Sequence, residues 1–187
     1  ASWRVLSSLR VPDVALDAAA SALYVVNNRF ALGANDYLTS TADPSPLLHL
    51  WSLAVEEQFY LIWPLLIILV TRFISLARVG LMISVVAIAS FALSLVWTDL
   101  SAPWAFFSLP TRAWELALGA LIAVGVLRLP DRGGRRTASA IGWTGLVMIL
   151  ASVVVIGTDT PYPGTAALLP VFGTVMLIVA GAHADAG

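Results

Sequence analysis

Cysteine is absent from the 187 residues, which excludes disulfides, thiolate metal sites and a cysteine nucleophile. Lysine is absent as well, so all ten basic residues are arginine. Charge of either sign is scarce, at 11% of residues against a soluble norm of about 25%. Hydrophobic residues reach 59% and mean hydropathy is +0.90, which excludes an ordinary soluble domain and describes a chain that crosses a bilayer several times. There is no glycine-rich phosphate loop, no histidine cluster at metal-ligand spacing, and no heptad or internal repeat. The net charge of −1 favours no class of partner, and no metal, bound cofactor or nucleic-acid partner is expected.

What is present is a series of apolar runs separated by turn chemistry. Val11 to Val26 is apolar apart from Asp13 and Asp17 and is short for a span, which takes about 20 residues. Asn27 to Pro46 carries asparagines, glycine, aspartates and prolines and is expected to be a loop. Uncharged or nearly uncharged runs follow at Val79 to Trp97, Leu109 to Leu127, Thr137 to Gly157 and Gly164 to Ala182. Between the first two, Thr98 to Pro110 mixes tryptophan, phenylalanine and proline, a composition suited to an interfacial aromatic belt. The expectation is an all-α, polytopic transmembrane helix bundle with about five to six spans. The chain opens on Ala1 with no secretory leader pattern, which suggests an excerpt of something longer.

The stretch from Pro46 to Val70 organises the rest, because Glu56 and Glu57 interrupt a sequence otherwise apolar enough to enter a bilayer. A charge at membrane depth costs about 3 kcal/mol even on a lenient insertion scale, so it usually faces a bundle interior or a wet cavity. On a helix that starts at His49, steps of about 100° put His49, Ser52, Glu56, Tyr60 and Trp63 on one arc. Glu57 lies roughly 80° to one side of that arc, and Gln58 falls opposite. Pro64 is expected to kink the helix. The competing reading is that the two glutamates cap the outer end of a plain span at headgroup level.

Four further features invite a chemical reading. Arg112 and Glu115 are three apart and share a helix face that continues through Gly119 and Ala123, where small residues would let another helix approach. They are either an ion pair near Glu56 or Glu57 that orients a substrate, or a structural pair at the bundle boundary. His49 is the histidine near this face and a candidate general base, but Glu56 lies roughly 10 Å along the axis, too far to orient it directly. His183 reads as incidental. Arg128, Arg132, Arg135 and Arg136 form a basic cluster that could hold a phosphorylated donor or anionic lipid, or simply set topology. Pro161 to Gly164 makes a tight turn in which Tyr162 reads as an interface residue.

At the level of motifs, HLWSLAVEEQFYLIWP from His49 closely resembles the signature of the acyltransferase-3 family of integral membrane enzymes. TRAWELALGALIA from Thr111 and YPGTAALLPVFGTVMLI from Tyr162 resemble it in the expected order. The resemblance implies that residues 1–187 are a partial membrane-embedded acyltransferase domain, multi-pass in the cell's inner membrane. It implies an acyl donor, typically acyl-CoA from the cytoplasm, and a hydroxyl acceptor on an envelope glycan or lipid across the bilayer. It places Glu56, Glu57, Arg112 and Glu115 in the functional core. Family members also begin with a helix in which an arginine precedes, by eleven positions, the histidine taken as catalytic. Eleven positions before His49 stands Leu38, and before His183 stands Phe172, so neither histidine fits that pattern. The family's N-terminal helices are therefore expected as partners, and the chain alone is expected to be incomplete. A transport module using the buried carboxylates, or a non-catalytic remnant, are the alternatives.

Arginine placement orients the bundle. Arg4, Arg10, Arg72, Arg78, Arg128, Arg132, Arg135 and Arg136, eight of the ten, fall on one side of the successive spans, and by the positive-inside rule that side is cytoplasmic. Reporter fusions at Arg78 and Arg135 should therefore behave as cytoplasmic, and fusions at Asp99 and Asp159 as external. The reverse pattern would overturn both the topology and the placement of the carboxylates.

Overall fold

The computed structural model of the chain describes residues 11–39, 45–73, 76–125 and 134–184. These residues form helices and turns, with no strand among them. In chain order the helices are α1 (Val11–Ala22), α2 (Val26–Thr39), α3 (Leu50–Thr71), α4 (Leu76–Leu100), α5 (Ala102–Phe107), α6 (Leu109–Ala123), α7 (Gly134–Val155) and α8 (Leu168–Ala184). Three of them, α3, α4 and α7, are long and apolar enough to cross a membrane, and α8 carries a shorter apolar stretch from Leu168 to Ala182. α6, at fifteen residues, is roughly 22 Å long and ends where Gly125 takes a positive φ of 77°.

Two cores hold the elements together. In the larger, Phe59 and Trp63 of α3 stack at 4.9 Å and meet Val79 and Ile83 of α4 and Trp114, Ala117 and Leu121 of α6. The smaller joins Val26 and Phe30 of α2 to Ala54 of α3 and Phe107 of α5. The faces turned away from these cores remain apolar and exposed, with Leu61, Leu65 and Ile68 on α3, Val85 and Ile88 on α4, and Val147, Leu150 and Val154 on α7. Such a surface suits lipid or further membrane helices and not water.

The expected loop from Asn27 to Pro46 is mostly helix, since α2 occupies Val26–Thr39, while residues 40–44 lie outside the described residues. Two of its polar residues, Asn27 and Arg29, are held by tertiary partners. Asn27 is fully buried, donates to the Phe107 carbonyl at 3.0 Å and accepts from Gln58 Nε2 at 2.9 Å. Arg29 donates through Nε to the buried Asp17 of α1 at 2.6 Å. The stretch from Thr98 to Pro110 contains α5, whose half-buried Phe106 and Phe107 pack on Trp51 at 4.7 and 5.4 Å.

The small-residue seam also falls elsewhere than Gly119 and Ala123, which are exposed; a Cβ on Gly119 would meet nothing within 4 Å. The close approach is between α7 and α8. A Cβ on Gly145 would stand 2.5 Å from the Gly173 carbonyl oxygen, and one on Gly173 would stand 2.8 Å from the Gly145 oxygen. Backbone meets backbone there, and neither side can yield as a side chain could. Gly145→Ala or Gly173→Ala should therefore destabilise the α7 and α8 hairpin by about 1–3 kcal/mol, the usual cost of overpacking. Gly142→Ala is the control, because its Cβ would make an ordinary 3.4 Å contact with Ala180. Thermal unfolding in detergent separates the three, and equal midpoints would show that the crossing is looser than described.

Candidate functional site

At one end of the bundle the first turn of α6 brings Arg112 into a box of aromatic rings drawn from three other parts of the chain. Its Cζ lies 5.6 Å from the ring centre of Trp51 on α3, 5.7 Å from Phe106 on α5 and 5.4 Å from Tyr162 in the turn before α8. Each such contact contributes roughly 0.5–2 kcal/mol when water is excluded. Glu115 supplies the counter-charge. Arg112 Nη2 donates to Oε2 at 3.0 Å, and Nε stands 2.9 Å from Oε1 as a charge contact. The two side chains are only 14% and 18% exposed. Arg112 Nη1 is buried and has no hydrogen-bond partner among the described residues. An unfilled donor on a buried cation is costly to leave unmade, which makes it a place where an oxygen acceptor would be welcome.

Hydroxyls hold the α6 turn in register. Ser90 of α4 donates to the Pro110 carbonyl at 2.6 Å and accepts the Trp114 N–H at 2.9 Å, so one buried side chain spans the turn that carries Arg112. Thr111, fully buried, donates to the Ala105 carbonyl at 2.8 Å and lies 2.8 Å from the Ser108 hydroxyl, tying the end of α5 to the start of α6. Pro110 suits this first turn, where its missing N–H costs nothing. On the far side of α5, Asn27 fixes the Phe107 carbonyl and is itself fixed by Gln58, whose Nε2 also donates to the Tyr24 carbonyl at 2.6 Å.

The structure brings Arg112 and Glu115 together, and no hydrogen bond or ion pair joins them to Glu56, Glu57, His49, Arg135 or Arg136. Glu56 is exposed, as are Ser52 and Tyr60 on the same arc, so of the expected stripe only Trp63 points into the bundle. Glu57 is half-buried, and neither glutamate has an ion pair or hydrogen bond to a described residue. Gln58, opposite the stripe, is the polar residue of α3 that engages its neighbours. His49 sits in the turn before α3 with its side chain exposed. Arg135 and Arg136 are exposed in the first turn of α7, while Arg128, Arg132 and the His183 side chain lie outside the described residues. α7 is 22 residues long, so that basic end is roughly 33 Å of helix from the turn leading to Tyr162. Trp51, Phe106 and Tyr162 were not legible as site residues, because aromatic residues near a span end look the same whether they face lipid or a cation.

The model of a family described as an acyltransferase domain matches residues 13–186. The peptidoglycan O-acetyltransferase OatA of Listeria monocytogenes is 34% identical over 146 residues, 74% of this chain and 23% of that protein. The O-acetyltransferase OatA of Staphylococcus aureus is 33% identical over 108 residues, 56% of this chain and 18% of that protein. The chain thus spans under a quarter of the length of these two relatives. Among solved structures none matches.

Ser90 generates the sharpest test of this geometry. Ser90→Ala leaves the Pro110 carbonyl and the Trp114 N–H without their shared buried partner and should cost about 1–3 kcal/mol. Ser84→Ala is the comparison, because among the described residues that hydroxyl bonds only the Gly80 carbonyl of its own helix, at 2.8 Å, and its loss should be close to neutral. Equal unfolding midpoints in detergent would mean that Ser90 does not hold the α6 turn.

Proposed function

This chain belongs to the acyltransferase domain family, and from that premise we propose that it forms part of an enzyme moving an acyl group from acyl-CoA to a hydroxyl of a cell-envelope carbohydrate. The chain is that of a multi-pass membrane protein, with its long apolar helices and its matches to O-acetyltransferases. The observation that carries the reading is the buried, ring-enclosed Arg112 whose Nη1 has no hydrogen-bond partner among the described residues. In the proposed step the acceptor oxygen bonds to the thioester carbonyl carbon, the C–S bond breaks, and the hydroxyl proton passes through a base to the departing thiolate. Negative charge collects on the carbonyl oxygen as the tetrahedral intermediate forms. A guanidinium held in advance by Glu115 and three rings stabilises that oxygen without reorganising at the moment of reaction. Glu115 acts by positioning Arg112. The base is a residue other than these two, since arginine stays protonated and Glu115 is engaged by Arg112.

Donor and acceptor approach from opposite ends in this reading. The exposed Arg135 and Arg136 suit the phosphates of the donor at the cytoplasmic end, and Arg112 lies toward the external end by the arginine distribution. The acyl group then has to be presented across the bundle.

In the full protein reconstituted in liposomes, Arg112→Ala should lower acyl transfer by about 10²–10³, the usual loss for one oxyanion donor, with membrane insertion retained. Arg112→Lys, which keeps the charge but loses the paired contact with Glu115, should fall in between. Glu57→Gln, which removes a half-buried charge without a described partner, tests the second carboxylate separately. Wild-type turnover in Arg112→Ala would remove Arg112 from the mechanism, and proton flux without any acyl donor would favour a transport module instead.

A further inference from the structure

A cleft of about 540 Å³ opens at the same end of the bundle, between α5 and the 158–162 turn, and two of the rings around Arg112 also form its wall. These are Phe106 and Tyr162, joined in the cleft by Phe107. Its volume falls in the range of about 300–1,000 Å³ common to small-molecule sites. The lining also holds Thr158, Asp159 and Thr160 in succession. Asp159 and Thr158 are exposed, and no described residue takes their side-chain oxygens; Thr160 accepts the Gly157 N–H at 3.0 Å and keeps its own proton to donate.

We propose that this cleft is the acceptor subsite and that its occupant is a pyranose ring of an envelope glycan. The proposal rests on the acyl-transfer reading and adds to it the place where the acceptor sits. A sugar ring has an apolar face of C–H groups and an edge of hydroxyls. Aromatic rings together with a carboxylate and two hydroxyls in one cleft supply a partner for each. A phospholipid tail would match the rings but would leave the Asp159 carboxylate against hydrocarbon, which is costly. The cleft also lies at the end of the spans and not along their middle: Thr98 near the end of α4, α5 and the turn after α7 all border it. Gly164 holds that turn onto α4, donating its N–H to the Thr98 hydroxyl at 3.0 Å with a φ of +37°. A sugar seated there would share Phe106 and Tyr162 with Arg112, since both rings line the cleft and lie against the guanidinium.

The test uses the full protein in liposomes, with acetyl-CoA as donor and an oligomer of N-acetylglucosamine as acceptor. Asp159→Ala should raise the acceptor KM by about tenfold, the loss of a hydrogen bond to a charged group, while kcat and the slow hydrolysis of donor without acceptor stay near wild type. Thr158→Trp, which fills the mouth, should do the same by exclusion. Unchanged acceptor KM in both variants overturns the subsite, and so does a Thr158→Trp effect confined to co-purified phospholipid. Should wild type show neither transfer nor donor hydrolysis, the failure belongs to the acyl-transfer reading. Binding of the oligomer, followed by tryptophan fluorescence, then decides the cleft: loss in Thr158→Trp supports it, and binding equal to wild type overturns it.

Discussion

An arginine cannot shed its charge to enter an apolar bundle, so the protein around Arg112 has to replace the water it loses. Three aromatic rings offer their negative faces, and Glu115 offers a full counter-charge three residues along the same helix. That requirement explains why otherwise separate pieces of chain converge at one end. Trp51 comes from α3, Phe106 from α5, and Tyr162 from the turn before α8. Each must be present for the cation to be enclosed, so the box also joins those elements.

Enclosure of that kind tolerates little movement, and buried hydroxyls and amides restrict it. Ser90 and Thr111 fix the α6 turn to α4 and α5, and Asn27 with Gln58 fixes α5 to α2 and α3. Apart from the amide pair of Asn27 and Gln58, these contacts act on backbone carbonyls and N–H groups. The apolar helices supply the bulk of the packing, while these few polar contacts decide the relative placement of their ends. Within that frame Arg112 Nη1 stays buried without a hydrogen-bond partner among the described residues.

The bundle also shows why the phase of α3 differs from the expected inward arc. Two adjacent glutamates in an apolar run are conspicuous in one dimension, and the arc through Glu56 looked like an inward stripe. In three dimensions the bulk of Phe59 and Trp63 sets the rotation of α3, and their stacking on α4 and α6 turns Glu56 and Tyr60 outward among the described residues. Helical phase is determined by the largest apolar area that can be buried, and a polar arc follows passively. The α2 helix has the same origin: Asn27 and Arg29 read as loop residues until Phe107, Gln58 and Asp17 satisfy them.

Composition and hydropathy by themselves determined that this chain is helical and membrane-embedded, because a bilayer admits few alternatives for a backbone that must satisfy its own hydrogen bonds. The spacing of Arg112 and Glu115 was enough to pair them, since residues three apart on a helix are neighbours whatever surrounds them. Motif order was enough to indicate the family. Which aromatic residues enclose the guanidinium, which glycines let α7 and α8 touch, and where a cleft opens beside the site were decided only by the tertiary structure. Those properties arise between residues far apart in the chain, as with Trp51 and Tyr162, and no local period or propensity encodes a contact of that kind.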